Sequence, residues 1–406
     1  MSTLAPTPTA TYVVAPEFIN RDKIRDITRF VEQWRELALP EPLPLQFLNR
    51  RQLREQWQEQ AYDQAAIEAV ETQQEFYRAL GLIEPGVDLG QAALENQANL
   101  LLGYYDPVDK VMYVIAESVN MFAEEEMTFA HEYVHALQDH HFGLDNILER
   151  DRSADERLAA RSLPEGDARL VERLFTAQNI TLDQLNYTVY RYLFQEHPRL
   201  EGVSPALGIF SYFPYTAGEY FVIYLYIHGN FSWDKVNQAY RNPPVSTAQV
   251  MHPEKYLAGE LPTPISLPEL TPVLGGTWRE IDRNVLGEAG FLVWLADQLD
   301  EQMASNAAAG WTGDAYSLWV DEANRRLLAE LSLWDTEAEA LEFFEAFSTY
   351  MNRRQANSPR YEEAGARFWE DNAGVTLLSR QGRQVLIIVG PDRLTLDKVK
   401  AAFANY

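Results

Sequence analysis

The chain contains no cysteine among its 406 residues. Disulfide bonds, thiolate metal sites, iron–sulfur clusters and a cysteine nucleophile are therefore excluded, and any metal must be held by histidine, aspartate or glutamate. Basic residues are scarce: 34 lysines and arginines are outnumbered by 60 acidic residues, which leaves a formal net charge of −26. Because this charge repels a phosphate backbone, we expect no nucleic-acid partner.

Long apolar stretches are also missing. The longest runs, such as Phe221 to Ile227, are far shorter than the roughly 18–20 residues that a membrane-spanning helix needs, so we expect no integral membrane segment. Hydrophobic residues make up 46% of the chain and charged residues 23%, which is the balance of a folded globular protein. The length exceeds that of one typical domain and predicts two folded units or one large unit with an appendage.

The composition of two segments predicts the domain organisation. Residues 1–20 are rich in proline and threonine and predict a flexible spacer. Such a spacer often follows a removed signal or lipid anchor, so we expect a cell-envelope or secreted protein if the chain is trimmed and a cytoplasmic one if it is complete. A Pro- and Leu-rich stretch ends near Val273. It predicts a boundary between a first domain over residues 21–272 and a C-terminal α+β domain of unknown role over residues 273–406.

Hydrophobic periodicity predicts an α+β fold. Leu43 to Leu48 reads as a short strand, and Gly103 to Ile115 as a β-hairpin whose second strand is Val111 to Ile115. Helical patterns cover Glu124 to Phe142, Asp155 to Gln178 with an interruption near Pro164, Gly218 to His228, and Trp278 to Met303.

The sequence His131-Glu132-Tyr133-Val134-His135 lies in the first of these helices. Residues four apart share one face of a helix, so the two imidazoles can bind a single Zn²⁺ ion. Glu132 is then close to a zinc-bound water, where it can act as general base. The sequence therefore predicts a zinc site with His131 and His135 as ligands.

A catalytic zinc needs a third protein ligand, for which two residues are candidates. Glu165 follows on the next predicted helix and can present a carboxylate to the same face. His141 lies ten residues after His131, the outer spacing of the extended three-histidine pattern, but Gln138 stands where that pattern requires glycine. We favour Glu165 and expect His141 to be a residue of the helix end.

His131-Glu132-x-x-His135 followed by Glu165-Gly166-Asp167-Ala168 resembles the gluzincin group of zinc metallopeptidases. The resemblance implies a zincin-like core, in which a small mixed sheet and the active-site helix precede a mainly helical subdomain, with Glu165 as the third zinc ligand. It also implies hydrolysis of peptide bonds in a peptide or protein substrate.

Two further segments are similar to parts of this group. Pro214-Tyr215-Thr216-Ala217-Gly218 is similar to the Pro-Tyr-x-x-Gly segment of aminopeptidase-N-like gluzincins, which implies that Tyr215 stabilises the oxyanion; His252 is the alternative donor. The Gly103 to Ile115 hairpin resembles the edge-strand element of minimal gluzincins. This implies that a peptide substrate adds a strand along the residues Val111, Met112, Tyr113 and Val114.

The sequence departs from these peptidases at two points. It has no Gly-x-Met-Glu-Asn signature before His131, and Arg169 occupies the position four residues after Glu165 where an aspartate is usual. We therefore expect an endopeptidase or processing peptidase rather than an aminopeptidase. The alternative is a non-catalytic, zinc-stabilised scaffold or binding protein, for which a general base such as Glu132 would have no use.

Overall fold

The computed structural model describes residues 20–60, 64–90, 101–115, 120–148, 152–194, 200–355, 360–363 and 365–403. The spacer predicted over residues 1–20 lies outside these ranges, apart from Asn20. Helices and strands are mixed along the chain, which confirms the α+β composition. None of the helices in the described ranges combines the length and the apolar character that a bilayer span requires.

The described helices and strands have the following bounds. The helices are α1 (Arg21–Arg35), α2 (Arg50–Gln60), α3 (Gln64–Leu80), α4 (Ala123–Phe142), α5 (Asp145–Leu148), α6 (Ala154–Asn179), α7 (Leu182–Phe194), α8 (Leu207–His228), α9 (Asp234–Ala239), α10 (Thr247–Met251), α11 (Pro253–Ala258), α12 (Thr271–Leu274), α13 (Gly287–Ala296), α14 (Glu301–Ala308), α15 (Glu337–Arg354) and α16 (Arg393–Ala402). The strands are β1 (Leu45–Leu48), β2 (Gly103–Asp106), β3 (Val111–Ile115), β4 (Trp278–Asn284), β5 (Trp311–Asp321), β6 (Arg326–Trp334), β7 (Arg360–Glu363), β8 (Ala366–Asp371), β9 (Gly374–Gln381) and β10 (Gln384–Gly390).

The chain divides into two compact units, each built from several segments. The first unit comprises residues 1–59, 97–141 and 171–195, and the second comprises residues 60–96, 142–170 and 196–406. This interleaved division is of a different kind from the linear boundaries after residues 20 and 272, which stay predictions.

A three-stranded sheet in the order β1-β3-β2 forms part of the first unit. Strands β2 and β3 pair antiparallel, which confirms the hairpin predicted from Gly103 to Ile115. Helix α4 follows with Glu124, Glu125 and Glu126 in its first turn, where negative charge is favourable beside the positive end of the helix dipole.

Strand β3 is the central strand of this sheet. One side of β3 pairs with β2, and the other side pairs in parallel with β1, where Leu45 lies opposite Met112 and Leu48 opposite Ile115. Both hydrogen-bonding sides of β3 are therefore occupied, and a substrate cannot add a strand to β3. The prediction that a peptide adds a strand along Val111, Met112, Tyr113 and Val114 is wrong, because β1 occupies that place.

A seven-stranded sheet dominates the second unit, in the order β4-β5-β6-β10-β9-β8-β7 with every pair antiparallel. One apolar cluster contains Trp294, Trp311 and Trp334 together with much of α13 and α15, and another includes Leu396 and Val399 of α16. The helix predicted from Trp278 to Met303 is wrong over its first part, because residues 278–284 form strand β4 against β5.

The helices α6 and α8 approach each other at a pair of glycines in the second unit. A Cβ atom on Gly166 of α6 would lie 2.1 Å from the carbonyl group of Gly218 in α8, so only glycine permits this approach. Both helices continue through a proline, at Pro164 and Pro214, although a proline inside a helix removes one backbone hydrogen bond. The predicted interruption near Pro164 is therefore wrong, and the helix predicted to begin at Gly218 begins at Leu207.

The second unit also buries several carboxylates near the start of α13. Burial raises the pKa of Asp155 to about 7, although Thr247 donates hydrogen bonds to it; the negative charges of Asp314 and Glu288 add to the rise. Burial likewise raises the pKa of Asp314 to about 6, although hydrogen bonds from the backbone amides at the start of α13 lower it. Glu288 is fully buried and lies 2.7 Å from His252 Nε2.

Candidate metal centre

His131 and His135 lie one turn apart on α4, as their spacing predicts. Their Nε2 atoms are 3.1 Å apart, and the two rings are nearly perpendicular, with centroids 4.8 Å apart. Two nitrogens bound to one tetrahedral zinc ion at roughly 2.0–2.1 Å lie about 3.3 Å from each other. The imidazoles therefore already have the separation that a shared zinc ion needs.

The other ring nitrogen of each histidine is held by an oxygen atom. His131 Nδ1 lies 3.1 Å from Glu172 Oε2, and His135 Nδ1 lies 2.8 Å from Gln138 Oε1. A carboxylate and an amide oxygen only accept hydrogen bonds, so each neutral imidazole carries its proton on Nδ1. Each Nε2 atom is then left with its lone pair.

The two Nε2 atoms lie 3.1 Å from each other. Two acceptors at this distance repel unless a proton or a cation lies between them, so the arrangement of donors fits a metal ion. Among the described residues, one group of three potential ligands has all its ligand atoms within 4.8 Å of one another, and it consists of His131, Glu132 and His135. The histidines supply two neutral nitrogens, which suit zinc.

Glu132 lies beside the two histidines and contacts the neighbouring strand. Its Oε2 atom accepts a hydrogen bond of 3.0 Å from the backbone N–H of Tyr105 in β2. This N–H is directed away from β3, so the outer edge of the sheet at β2 faces the carboxylate of Glu132. The general base predicted from the sequence thus contacts β2, an outer strand of the sheet among the described residues, and not β3.

A second set of contacts joins β2 and its turn to the same helix. The hydroxyl of Tyr105 donates to Asp139 Oδ2 at 2.7 Å, and Lys110 Nζ lies 2.5 Å from the same oxygen. The side chain of Asp139 is 2% exposed, so both partners contact a carboxylate that has little access to water. Asp139 follows His135 by one helical turn, so these contacts lie one turn further along the helix than the two histidines.

Glu165 and Tyr215 lie in the second unit, on α6 and α8. Glu165 Oε1 is 3.3 Å from Arg161 Nη2, one turn earlier on α6. Partial desolvation lowers the pKa of Arg161, but the charge of Glu165 and hydrogen bonds with Glu165 and Tyr215 raise it on balance. The predicted third ligand and the predicted oxyanion stabiliser therefore share Arg161 as a neighbour. Their roles stay predictions.

Two alternative residues have other partners. His141 lies on the same continuous helix as His131, about 15 Å further along its axis, and its Nε2 lies 2.9 Å from the carbonyl oxygen of Ala38. It is therefore too far from His131 to bind the same ion. His252 is paired with Glu288, and the hydrogen bond to that carboxylate raises its pKa, as expected for a structural residue.

The structure adds residues that the sequence analysis missed. Glu172 and Gln138 orient the histidines, Asp139 and Tyr105 join the helix to the sheet, and Arg161 connects Glu165 with Tyr215. Helical spacing gives a partial signal for two of them, because Gln138 and Asp139 follow His135 by three and four residues. No local pattern indicates the contacts of Tyr105 or Glu172.

One part of the chain matches a known family model. Residues 273–400 match a family described as a domain of unknown function (DUF8575). The matched segment lies within the predicted C-terminal domain and contains none of the residues of the metal centre. No curated protein and no solved structure matches the chain.

Proposed function

We propose that this protein is a zinc-dependent peptidase of the gluzincin type with a zincin-like core, which acts as an endopeptidase or processing peptidase. One observation carries the proposal: the two imidazole Nε2 atoms face each other at 3.1 Å with the carboxylate of Glu132 beside them. A structural zinc site needs no ionisable group of this kind, whereas hydrolysis does.

In this proposal His131, His135 and Glu165 would hold the zinc ion. When bound, zinc supplies a Lewis acid that lowers the pKa of a water molecule and polarises a peptide carbonyl group. Glu172 and Gln138 support the two imidazoles by fixing the proton of each on Nδ1. Two neutral histidines and one carboxylate match the ligand set of several catalytic zinc sites.

Glu132 handles the protons of the reaction. It takes a proton from the attacking water and returns it to the leaving amine, and its hydrogen bond from the backbone of Tyr105 holds the carboxylate in place between these steps. Tyr215 stabilises the negative charge that develops on the carbonyl oxygen. The guanidinium of Arg161 keeps a positive charge beside the hydroxyl of Tyr215, which suits a donor to an oxyanion.

The peptide substrate binds next to β2 rather than along β3. Strand β2 is an outer strand of the three-stranded sheet, and the N–H of Tyr105 is directed outward to Glu132. Because Glu132 occupies this N–H, an extended peptide passes beside the general base without pairing to the backbone of Tyr105. This replaces the substrate-binding role first expected for the central strand.

The test begins with bound metal and hydrolysis. Purified wild-type protein should contain one zinc ion per chain by elemental analysis and should cleave a mixture of unstructured peptides. Glu132→Gln should keep the zinc and lose roughly 10²- to 10⁴-fold in kcat, because it removes the general base. Glu124→Gln, the same change two turns earlier on α4, is the control and should keep full activity.

Each other outcome has a definite meaning. Zinc without hydrolysis in the wild type would favour the non-catalytic scaffold, and no zinc at all would remove the proposal. A Glu165→Ala variant that keeps its full zinc content and activity would exclude Glu165 as a ligand. Hydrolysis that survives in Glu132→Gln would assign the proton transfer to another group.

A further inference from the structure

We infer that Tyr105 is a positioning residue for Glu132, held by contacts at both its backbone and its side chain. The inference rests on the proposed function, because it assigns Tyr105 a part in proton transfer. Its basis is a set of four residues, which we call the Tyr105 clamp: Tyr105 itself, Glu132, Asp139 and Lys110.

Tyr105 makes two hydrogen bonds to α4, two turns apart. Its backbone N–H donates to Glu132 Oε2 at 3.0 Å, and its hydroxyl donates to Asp139 Oδ2 at 2.7 Å. Glu132 and Asp139 are seven residues apart, so they lie on the same face of the helix. One residue of β2 therefore spans this face and fixes the distance between the strand and the carboxylate of Glu132.

Lys110 completes the clamp from the turn between β2 and β3. Its ammonium group lies 2.5 Å from Asp139 Oδ2 and compensates the charge of a carboxylate that is only 2% exposed. Its backbone has a φ of +56°, in the left-handed region that residues with a Cβ atom avoid. The contact with Asp139 thus anchors the turn as well as the hydroxyl of Tyr105.

The effect on Glu132 follows from the flexibility of its side chain. A glutamate has several rotatable bonds, and the N–H of Tyr105 restricts the Glu132 carboxylate more strongly the more firmly that N–H is held. The bond from the Tyr105 hydroxyl to Asp139 holds Tyr105 against α4, in addition to the pairing of β2 with β3. The histidines do not depend on this contact, since Glu172 and Gln138 orient them, so loss of the clamp should affect proton transfer and leave metal binding unchanged.

The variant Tyr105→Phe removes the side-chain contact alone. Its matched control is Tyr133→Phe, which also removes a tyrosine hydroxyl from a carboxylate, because Tyr133 donates to Glu32 at 2.7 Å. We expect kcat for peptide hydrolysis to fall roughly 10- to 100-fold in Tyr105→Phe, with KM and zinc content unchanged. Tyr133→Phe should lose about as much thermal stability as Tyr105→Phe, because each loses one tyrosine–carboxylate hydrogen bond, but it should keep the kcat of the wild type.

A second measurement does not depend on activity. Hydrogen exchange of the amide of residue 105, followed by NMR, should be faster in Tyr105→Phe than in wild type or Tyr133→Phe, because the donor to Glu132 is no longer held. Lys110→Met should also increase the exchange rate of this amide, and it replaces Tyr105→Phe in the test if that variant does not fold. Equal exchange rates in all four proteins would overturn the inference.

The two measurements separate the possible failures. If the wild type hydrolyses nothing but the amide of residue 105 exchanges faster in Tyr105→Phe, the clamp exists and the proposed function fails. If the wild type hydrolyses peptides and Tyr105→Phe keeps its kcat, then Tyr105 does not position the general base.

Discussion

Glu172 offers a direct test of how the metal centre is oriented. Its Oε2 atom lies 3.1 Å from His131 Nδ1, on the side of the ring opposite the predicted metal. The substitution Glu172→Gln keeps the size of the side chain but removes its charge, and it adds an NH₂ group. If that NH₂ group faces Nδ1, it favours the tautomer with the proton on Nε2, which cannot bind zinc.

The magnitude follows from the type of hydrogen bond. Hydrogen bonds to a charged group contribute roughly 1.5–3 kcal/mol, against about 0.5–1.5 kcal/mol for neutral pairs, so the loss should be on the order of 1–2 kcal/mol. Outer partners of zinc-binding histidines typically contribute about 10- to 100-fold to metal affinity. The side chain of Glu172 is 16% exposed, and this access to water places the expected loss near tenfold.

The assay is competition for zinc against a chromogenic chelator at constant pH. Asp183→Asn is the control, because it removes one negative charge from an exposed position in the same unit without contacting the histidines. We expect Glu172→Gln to bind zinc about tenfold more weakly and the control to match the wild type. Equal affinity in all three proteins would refute the role of Glu172 in orienting His131.

Three further predictions concern the second unit. Because the pKa of Asp155 is raised from an unfolded value near 4 to about 7, folding stability should fall as pH rises through this interval, by up to about 4 kcal/mol. Calorimetry between pH 5 and 8 should show that stability depends less steeply on pH in Asp155→Asn than in the wild type. An unchanged slope would contradict the raised pKa. Gly166→Ala should destabilise the protein by about 1–3 kcal/mol, because its Cβ would lie 2.1 Å from Gly218, whereas Gly208→Ala, with open space around it, should be neutral or stabilising in thermal melts. Tyr215→Phe should lower kcat with unchanged zinc content, and an unchanged kcat would remove Tyr215 from the mechanism.

Local sequence patterns predicted the elements around the metal centre well. The helix bearing His131 and the hairpin before it follow from periodicity and from turn residues, both of which act over a few positions. Strand β1 was also expected near Leu45. Its parallel pairing with β3 was not, because such a pairing joins residues about 67 positions apart and leaves no local signal. The error about the substrate edge came from this one long-range pairing.

The residues that orient the histidines could not be predicted from the sequence for a similar reason. The spacing of His131 and His135 is a property of one helix, but the contact of His131 with Glu172 joins residues 41 positions apart and leaves no local signal. Strand β4 shows the same limit. Its residues 278–284 include four charged side chains, and only pairing with β5 makes them a strand.

The buried pair of His252 and Glu288 bears on how the chain can be dissected. The family match begins at residue 273, yet Glu288 takes its counter-ion from His252, and the amide of Ala289 donates to Thr247, both outside the matched segment. A fragment starting at residue 273 would leave a fully buried glutamate without its histidine. The recognisable module and the cooperative folding unit are therefore different lengths of chain, and an expression boundary chosen from the family match would cut through a core.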